Sequence, residues 1–437
     1  MPRLPAMSVA TMSYATHHQD RVESRSGDLF LERIPEPIYA DLVEELRRRY
    51  GFLNGPSDGG SMRIAEYFVG LRRTAADTFD RLVRAILHGA QAGRFPRLPL
   101  PEGFQPPDAN LPPFDRARGI PFGYFDAAVT EDGLRIIEVQ SNVTYAVTAA
   151  FIGRFLQTSL SSSDLRVFVH DPETSWQDFV DLNRAIIADG ETEGIVIADR
   201  DLDQQKTRFE LYATQRELDV GIDVVDTRWI REQAGGLWYP SEAGAPTSKK
   251  VRRLYHRTLA MEAMEEDGYP HRADRWGFRF DRAYADMIHV NHPGKNFEIS
   301  KHIQPYLAHA LNPPCFELSE IAAHLRRGEI GYGDFVWKHK LGVAGRGLFL
   351  QPDRDVLDTL DRNDQLHDYI AQSRVDFERF RTGDGSEKIV ELRFMSVQSA
   401  DRLCVVPMAR IGHVQGHANG GVTTHIHFGE NNAPGYG

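Results

Sequence analysis

The sequence predicts a mixed α/β (α+β) protein in which a small parallel sheet covered by helices sits beside a region built mostly of strands. Three observations predict it. From Leu165 onward, short apolar β-rich runs alternate with stretches of helical periodicity, the rhythm of βαβ units. Phe122–Val129 and Leu134–Val139 flank Thr130-Glu131-Asp132-Gly133, and Asp-Gly between two β-rich runs signals a tight hairpin. Residues 333–350 read as a strand ending in Lys338, a glycine loop and a returning strand.

Taken in order, residues 1–28 are rich in Ser, Thr, His and Met, with no periodicity and no apolar core of a signal peptide, and are expected to be a disordered tail. Residues 36–50 have helical spacing with Pro37 in the first turn. Residues 62–92 read as one or two further helices, followed by a proline-rich passage over 95–113. After the hairpin comes a helix over 143–158. Strands are then expected at 166–170, 194–198, 222–226 and 253–256, with helices at 174–188 and 206–218. Residues 301–310 and 317–327 read as helical. The remainder from Asp334 is mostly strands, with one helix near 355–369.

At 437 residues, two or three packed units are expected. With 41% hydrophobic and 26% charged residues, the composition is that of an ordinary globular protein. A net charge of −11 argues against nucleic acid as the main partner, because duplex binders carry a basic face. No run approaches the roughly 18 apolar residues of a membrane span. Two cysteines, Cys315 and Cys404, in so long a chain point to reduced thiols and a cytoplasmic setting. The oligomeric state stays open.

Several residues are candidates for chemistry. Asp126 and Glu138 face each other across the hairpin, and Gln140 lies two residues beyond Glu138 on the same strand face. Three oxygen donors there suit magnesium, a hard ion that takes one or two carboxylates plus substrate phosphates. The alternative is a solvated hairpin face, weakened by apolar Ile136, Ile137 and Val139. Around the glycine loop, Gly342, Gly345, Arg346 and Gly347 offer bare amides that can cradle phosphates. The loop has neither the Walker nor the Rossmann spacing, and an ordinary glycine hairpin has the same shape. Lys338 and Lys301, from opposite walls, would hold the phosphates and compensate their charge. Tyr369–Val375 reads as a strand whose backbone, at Gln372, could pair with an adenine edge. Arg393 and Arg410 lie on apolar strands and need a carboxylate or an anionic ligand as partner, and both uses stay open. Lys206 and Arg208 open a helix and fit substrate contact or simple exposure equally. His425 and His427 share a strand face without further ligands at metal spacing, which favours a half-exposed strand over zinc.

With these segments assembled, the chain resembles ATP-grasp proteins of the circularly permuted kind, and in particular the glutathionylspermidine synthases. The spacing of Asp126 and Glu138 is similar to that family's metal-binding hairpin, with Gln140 in its Asn place. Lys301 and Lys338 match its two nucleotide lysines, and Gln372 falls at its adenine hinge. The chain also resembles, over roughly residues 115–425, a group of bacterial ATP-grasp-like proteins, through Ile137–Gln140, Asp203–Arg208, His292–Lys301, the Lys338 flap and Glu391–Arg393. It departs in having His339 where family flaps have Pro. No amidase domain precedes the hairpin region here, so spermidine and glutathione are not implied as substrates.

The resemblance implies a circularly permuted ATP-grasp fold with a small parallel α/β (pre-ATP-grasp) subdomain. Residues 29–160 would carry the helical region and metal hairpin, 161–295 a Rossmann-like subdomain, and 296–437 the nucleotide-binding region with its flap. It also implies a ligase that uses ATP and magnesium to join a carboxylate to an amine, with small amino acids or peptides as substrates. Arg393 and Arg410 would act at the reacting centre. A phosphotransferase, and a nucleotide-binding protein without turnover, are the alternatives.

Overall fold

The structure, a computed structural model, describes residues 21–51, 64–105, 119–141, 146–160, 166–169, 174–205, 207–240, 248–257, 263–264, 268–269, 271, 276–284, 286–342, 345–416, 422–424 and 431–432. Lys206, His425 and His427 lie outside them. Within them, the strands form five sheets, joined by helices.

The N-terminal sheet holds β1 (Arg21–Glu23), β2 (Leu29–Arg33) and β3 (Tyr67–Leu71), with β21 (Asn431–Asn432) parallel to β3. Two expectations are corrected here. Residues 21–28 form a strand and a turn paired to β2 rather than part of a disordered tail; Val22 lies opposite Leu31. Tyr67–Leu71 is a strand, not helix, and Gly70 leaves the space that the Phe30 ring fills across the ladder. Helix α1 (Glu36–Tyr50) buries Ile38, Leu42, Leu46 and Tyr50, one per turn, and ends at Gly51 in the left-handed region. Helix α2 (Arg73–Gln91) lays Phe79, Leu82, Val83 and Ile86 onto the central sheet.

That central sheet positions the site. Its order is β20 (Val422–Thr424), β19 (Leu403–Gly416), β18 (Glu387–Gln398), β4 (Phe122–Thr130) and β5 (Gly133–Ser141), with β17 (Phe380–Arg381) also paired to β18. The expected Asp-Gly hairpin is β4–β5. Along β18, Val390, Leu392 and Phe394 face α2, where Phe79 stacks on Phe394 with ring centroids 3.9 Å apart. Glu391 and Arg393 alternate with them and therefore face the other way.

Helix α3 (Ala146–Ser159) follows the hairpin. Helix α4 (Trp176–Ile187) opens on a Ser175–Asp178 capping box, and α5 (Arg208–Leu218) packs beside it. The parallel sheet runs β12 (Ile288–His289), β11 (Arg253–His256), β6 (Ile195–Asp199) and β7 (Ile222–Asp226). The strand expected at 166–170 is absent among the described residues; Val169 instead donates one backbone bond to Val405 at 3.0 Å. A three-stranded meander of β8 (Arg231–Gln233), β9 (Gly236–Pro240) and β10 (Ser248–Lys250) forms a separate sheet. One apolar core runs through all three expected regions. It joins Phe122 and α3 to α4, α5, β6 and Met395 and Met408 of the central sheet.

The flap sheet has the order β13 (Cys315–Glu317), β16 (Tyr369–Ser373), β14 (Phe335–His339) and β15 (Leu348–Phe349). Helices α6 (Leu318–Arg326) and α7 (Arg354–Arg362) cover one face around the buried Trp337. The expected helix over 301–310 is a 3-10 segment, Lys301–Tyr306. Pro305 has no N–H to give the Lys301 carbonyl, so the α-helical bond there cannot form. No helix among the described residues is long and apolar enough to cross a membrane.

Candidate functional site

Four strands present polar residues on one face of the central sheet. Gln140 and Glu138 of β5 lie opposite Tyr124 and Asp126 of β4, Asp126 lies opposite Arg393 of β18, and Glu391 lies opposite Arg410 of β19. The register jumps between Asp126 and Ala127: Asp126 pairs with Glu138 and Ala127 with Ile136, which leaves Ile137 as the extra residue of a β-bulge. Bulges re-aim neighbouring side chains and free a carbonyl from the ladder. Here the Ile137 carbonyl turns outward and accepts from Lys338 Nζ at 2.6 Å.

Lys338 reaches that edge from β14, because the flap sheet lies against the hairpin. Its ammonium also donates to Gln372 Oε1 at 2.7 Å, and Gln372 Nε2 donates to the Ile136 carbonyl at 3.2 Å. The residue as a whole keeps some exposure, while its ammonium is enclosed. Burial pulls Lys338 down to about 8; Glu138 opposes this and Lys301 adds to it. Cys315, opposite Gln372 on β13, is a buried free thiol pushed up to about 12 by desolvation.

Lys301 comes from the third wall, the start of the 3-10 segment. It is buried, with Nζ 3.1 Å from Glu138 Oε1 and donating also to the Gly342 carbonyl. Gln140 Nε2 donates to the same Gly342 carbonyl at 3.1 Å and to Glu138. The glycine loop therefore folds down onto the hairpin. Lys338 pairs with Leu348 and Trp337 with Phe349, so the loop joins two antiparallel strands as its spacing predicted. Gly345 and Gly347 hold φ of 80° and 62°, and a side chain on Gly342 would strike the Arg346 carbonyl. Arg346 itself is exposed at the loop tip.

Asp126 has another occupation than metal binding. It is fully buried, and both its oxygens are taken: Oδ1 accepts from Arg393 Nε at 2.7 Å, and Oδ2 from Arg393 and Arg410 at 2.6 and 2.8 Å. Arg410 also pairs with Glu391. Burial pushes the Asp126 carboxyl up, but the charges and hydrogen bonds of Arg393 and Arg410 outweigh it and hold it below the usual carboxylate range. Arg393 further lies over the Tyr124 ring, 4.1 Å from its centroid. Of the two uses left open for these arginines, the structure displays the ion pair.

The expected site residues thus fall into two groups. Glu138, Gln140, Lys301, Lys338, Gly342 and Gln372 meet where the hairpin, the 3-10 segment and the flap sheet converge. Asp126, Arg393 and Arg410 form a buried cluster beside them. Among the described residues, no group of three or more His, Cys, Asp or Glu is placed to hold a metal ion. Of the expected magnesium donors, Glu138 is the carboxylate directed at the lysines, its side chain 28% exposed. That suits a cation arriving with a nucleotide and keeping waters and phosphate oxygens as its other ligands. Asp126, with both oxygens engaged, does not fit. The adenine-edge expectation is corrected as well. The backbone of Gln372 is flanked by Cys315 on one side and Val336 on the other, so β16 is an interior strand and its amide side chain is what faces the site.

Sequence reasoning missed Tyr124, whose hydroxyl donates to Gln140 Oε1. The signal was available, since Tyr124 precedes Asp126 by two and so shares its strand face. It also missed the bulge, whose trace is the paired Ile136-Ile137 that breaks the alternation of β5.

No protein-family model matches the sequence, and no curated protein matches it. Among solved structures, the chain is similar to a glutathione synthetase-like effector from Globodera pallida in its apo form, at 10% identity and a TM-score of 0.49, over 86% of this chain and 94% of that one. It is also similar to a protein provisionally named gamma-glutamylcysteine synthetase from Methylobacillus flagellatus KT, at 10% identity and a TM-score of 0.33, over 82% and 84% of the two chains. At such values neither likeness carries an argument about activity.

Proposed function

We propose that the protein is an ATP-dependent ligase that joins a carboxylate to an amine through an acyl phosphate. One observation carries this reading. Three walls distant in sequence bring a carboxylate, two lysines and a glycine flap together: Lys301 lies 3.1 Å from Glu138, Lys338 grips the adjoining Ile137 carbonyl, and Gly342 closes over both Lys301 and Gln140. Lys301, Lys338, Arg393 and Arg410 set four cations against the carboxylates of Asp126, Glu138 and Glu391, and the remaining positive charge favours an anionic ligand.

In this reading the two lysines hold the phosphates, the amides of the flap cradle them, and Glu138 steadies the magnesium that accompanies the nucleotide. ATP supplies phosphoryl transfer to the acid, which makes the carboxyl carbon open to amine attack. The closed flap keeps water from that activated acid. Asp126 holds Arg393 and Arg410 rigid at the floor, where their charge faces the acid or its tetrahedral adduct. Small amino acids or peptides are the substrate class. A second reading is favoured by the two protein acceptors that each lysine already holds: a nucleotide-binding protein without turnover.

Acceptor-dependent ADP release tests the choice. Amino acids and small peptides are supplied singly and in pairs, and ADP is expected only when both an acid and an amine are present. ADP formed with a single hydroxylated acceptor means phosphotransfer instead, and binding without turnover means the second reading. Lys338→Ala is expected to abolish ATP turnover; unchanged turnover removes Lys338 from the mechanism.

A further inference from the structure

Gly342 offers its carbonyl to two donors at once, Lys301 Nζ and Gln140 Nε2. That carbonyl therefore competes with a phosphate oxygen for Lys301, whose ammonium already holds Glu138 as well. Whether the flap can rest there depends on which end of the Gln140 amide faces it. Glu138 and the Gly342 carbonyl are both acceptors, so the NH2 end must point toward them. The oxygen end must then find a donor on its other side, and Tyr124 OH is that donor. Tyr124 is buried, its ring pinned beneath Arg393 at 4.1 Å, so the hydroxyl is held in place by a contact independent of Gln140.

We propose that Tyr124 is a positioning residue that fixes Gln140 as a hydrogen-bond donor, so that the ligand-free site is latched shut by the flap's own Gly342 carbonyl. Opening requires an anion that offers Lys301 and Gln140 a better acceptor than an amide carbonyl, and a triphosphate does this because its oxygens are charged. With the Gln140 oxygen accepting from Tyr124, a cation bound at this amide while the latch is closed would have to share the oxygen with that hydroxyl. Nucleotide entry is therefore an exchange of acceptors at Lys301 and Gln140 rather than entry into an open cleft. The inference deepens the nucleotide-site reading and rests on it for the identity of the displacing ligand.

The experiment is hydrogen–deuterium exchange on the ligand-free full-length chain, followed over residues 339–350. The reporter amides are Gly342, which donates to His339, and His339, which donates to Gly347. Tyr124→Phe removes the hydroxyl and keeps the ring under Arg393. Gln140→Leu removes the donor itself. Loss of one buried hydrogen bond should speed flap exchange about tenfold in each variant, with α1 and α2 unchanged. Unchanged flap exchange in Gln140→Leu overturns the latch. Faster exchange in Gln140→Leu but not in Tyr124→Phe overturns the role of Tyr124, as does a general loss of protection through α1 and α2 in Tyr124→Phe. Binding of the non-hydrolysable ATP analogue AMP-PNP with magnesium is measured alongside on the wild type. Its absence defeats the nucleotide reading and leaves the exchange result standing.

Discussion

Asp126→Asn separates a structural carboxylate from a metal ligand. In the structure Asp126 is fully buried and accepts three N–H bonds, two from Arg393 and one from Arg410, at 2.6–2.8 Å. Asparagine keeps the shape and one acceptor oxygen, but it removes the charge and turns an NH2 toward a guanidinium. Arg410 retains Glu391, so the burden falls on Arg393, whose side chain is 7% exposed. Breaking a buried ion pair by removing one partner costs about 3–5 kcal/mol, because the other charge stays buried without compensation. The neutral variant should lose roughly 3 kcal/mol of stability, at the low end since one acceptor survives. Urea unfolding followed by tryptophan fluorescence, in EDTA so that no divalent cation contributes, measures it. The pH dependence gives a second reading. Because Arg393 and Arg410 depress the Asp126 carboxyl, its contribution is present above the unfolded value and is lost as pH falls through the folded one. Wild type should therefore weaken below about pH 4 by a component that Asp126→Asn lacks. A loss below about 1 kcal/mol in EDTA, together with a large loss of magnesium-dependent nucleotide binding, would refute the reasoning and make Asp126 a cation ligand after all.

Lys338, pulled down to about 8, should lose its proton in the free enzyme near that pH, so kcat/KM for ATP should fall about tenfold per pH unit above it. Lys338→Arg keeps the charge and should remove that limb; a wild-type profile flat to about pH 9.5 would exclude Lys338 from nucleotide binding. Glu210 accepts the Val147 and Thr148 amides at the start of α3, beside a cavity of about 10 Å³ that Arg257 also lines. Burial pushes this acid from 4.5 up to about 7, so stability present at low pH is lost as pH rises through 7, by about 3 kcal/mol. Glu210→Gln should flatten urea stability between about pH 4.5 and 7, and an unchanged slope would assign that titration to another group.

Much of the site was legible because its signals are local. The Asp-Gly turn, the one-per-turn apolar spacing of α1 and the strand–lysine–glycine–strand pattern around Lys338 each act within a few residues. The misses have physical causes. Tyr67–Leu71 is buried along its whole length, and a continuous apolar run looks alike in a buried strand and a helix. Residues 166–169 have strand chemistry, yet a strand exists only where a neighbour supplies a ladder. Asp126 reads as a cation ligand in the sequence because a carboxylate's partner is not written beside it: Arg393 stands 267 residues away along the chain.

Residue order alone settled the turns, the helical stripes and the placing of glycines where a loop must pinch, because backbone sterics and side-chain periodicity act over one or two turns of chain. Which acceptor each lysine meets, which carboxylate stays open and which is enclosed by guanidiniums were settled by strand register and by packing of the flap sheet on the hairpin. A one-residue bulge at Ile137 redirects a whole face, and the cost of enclosing a charge depends on neighbours brought from hundreds of residues away.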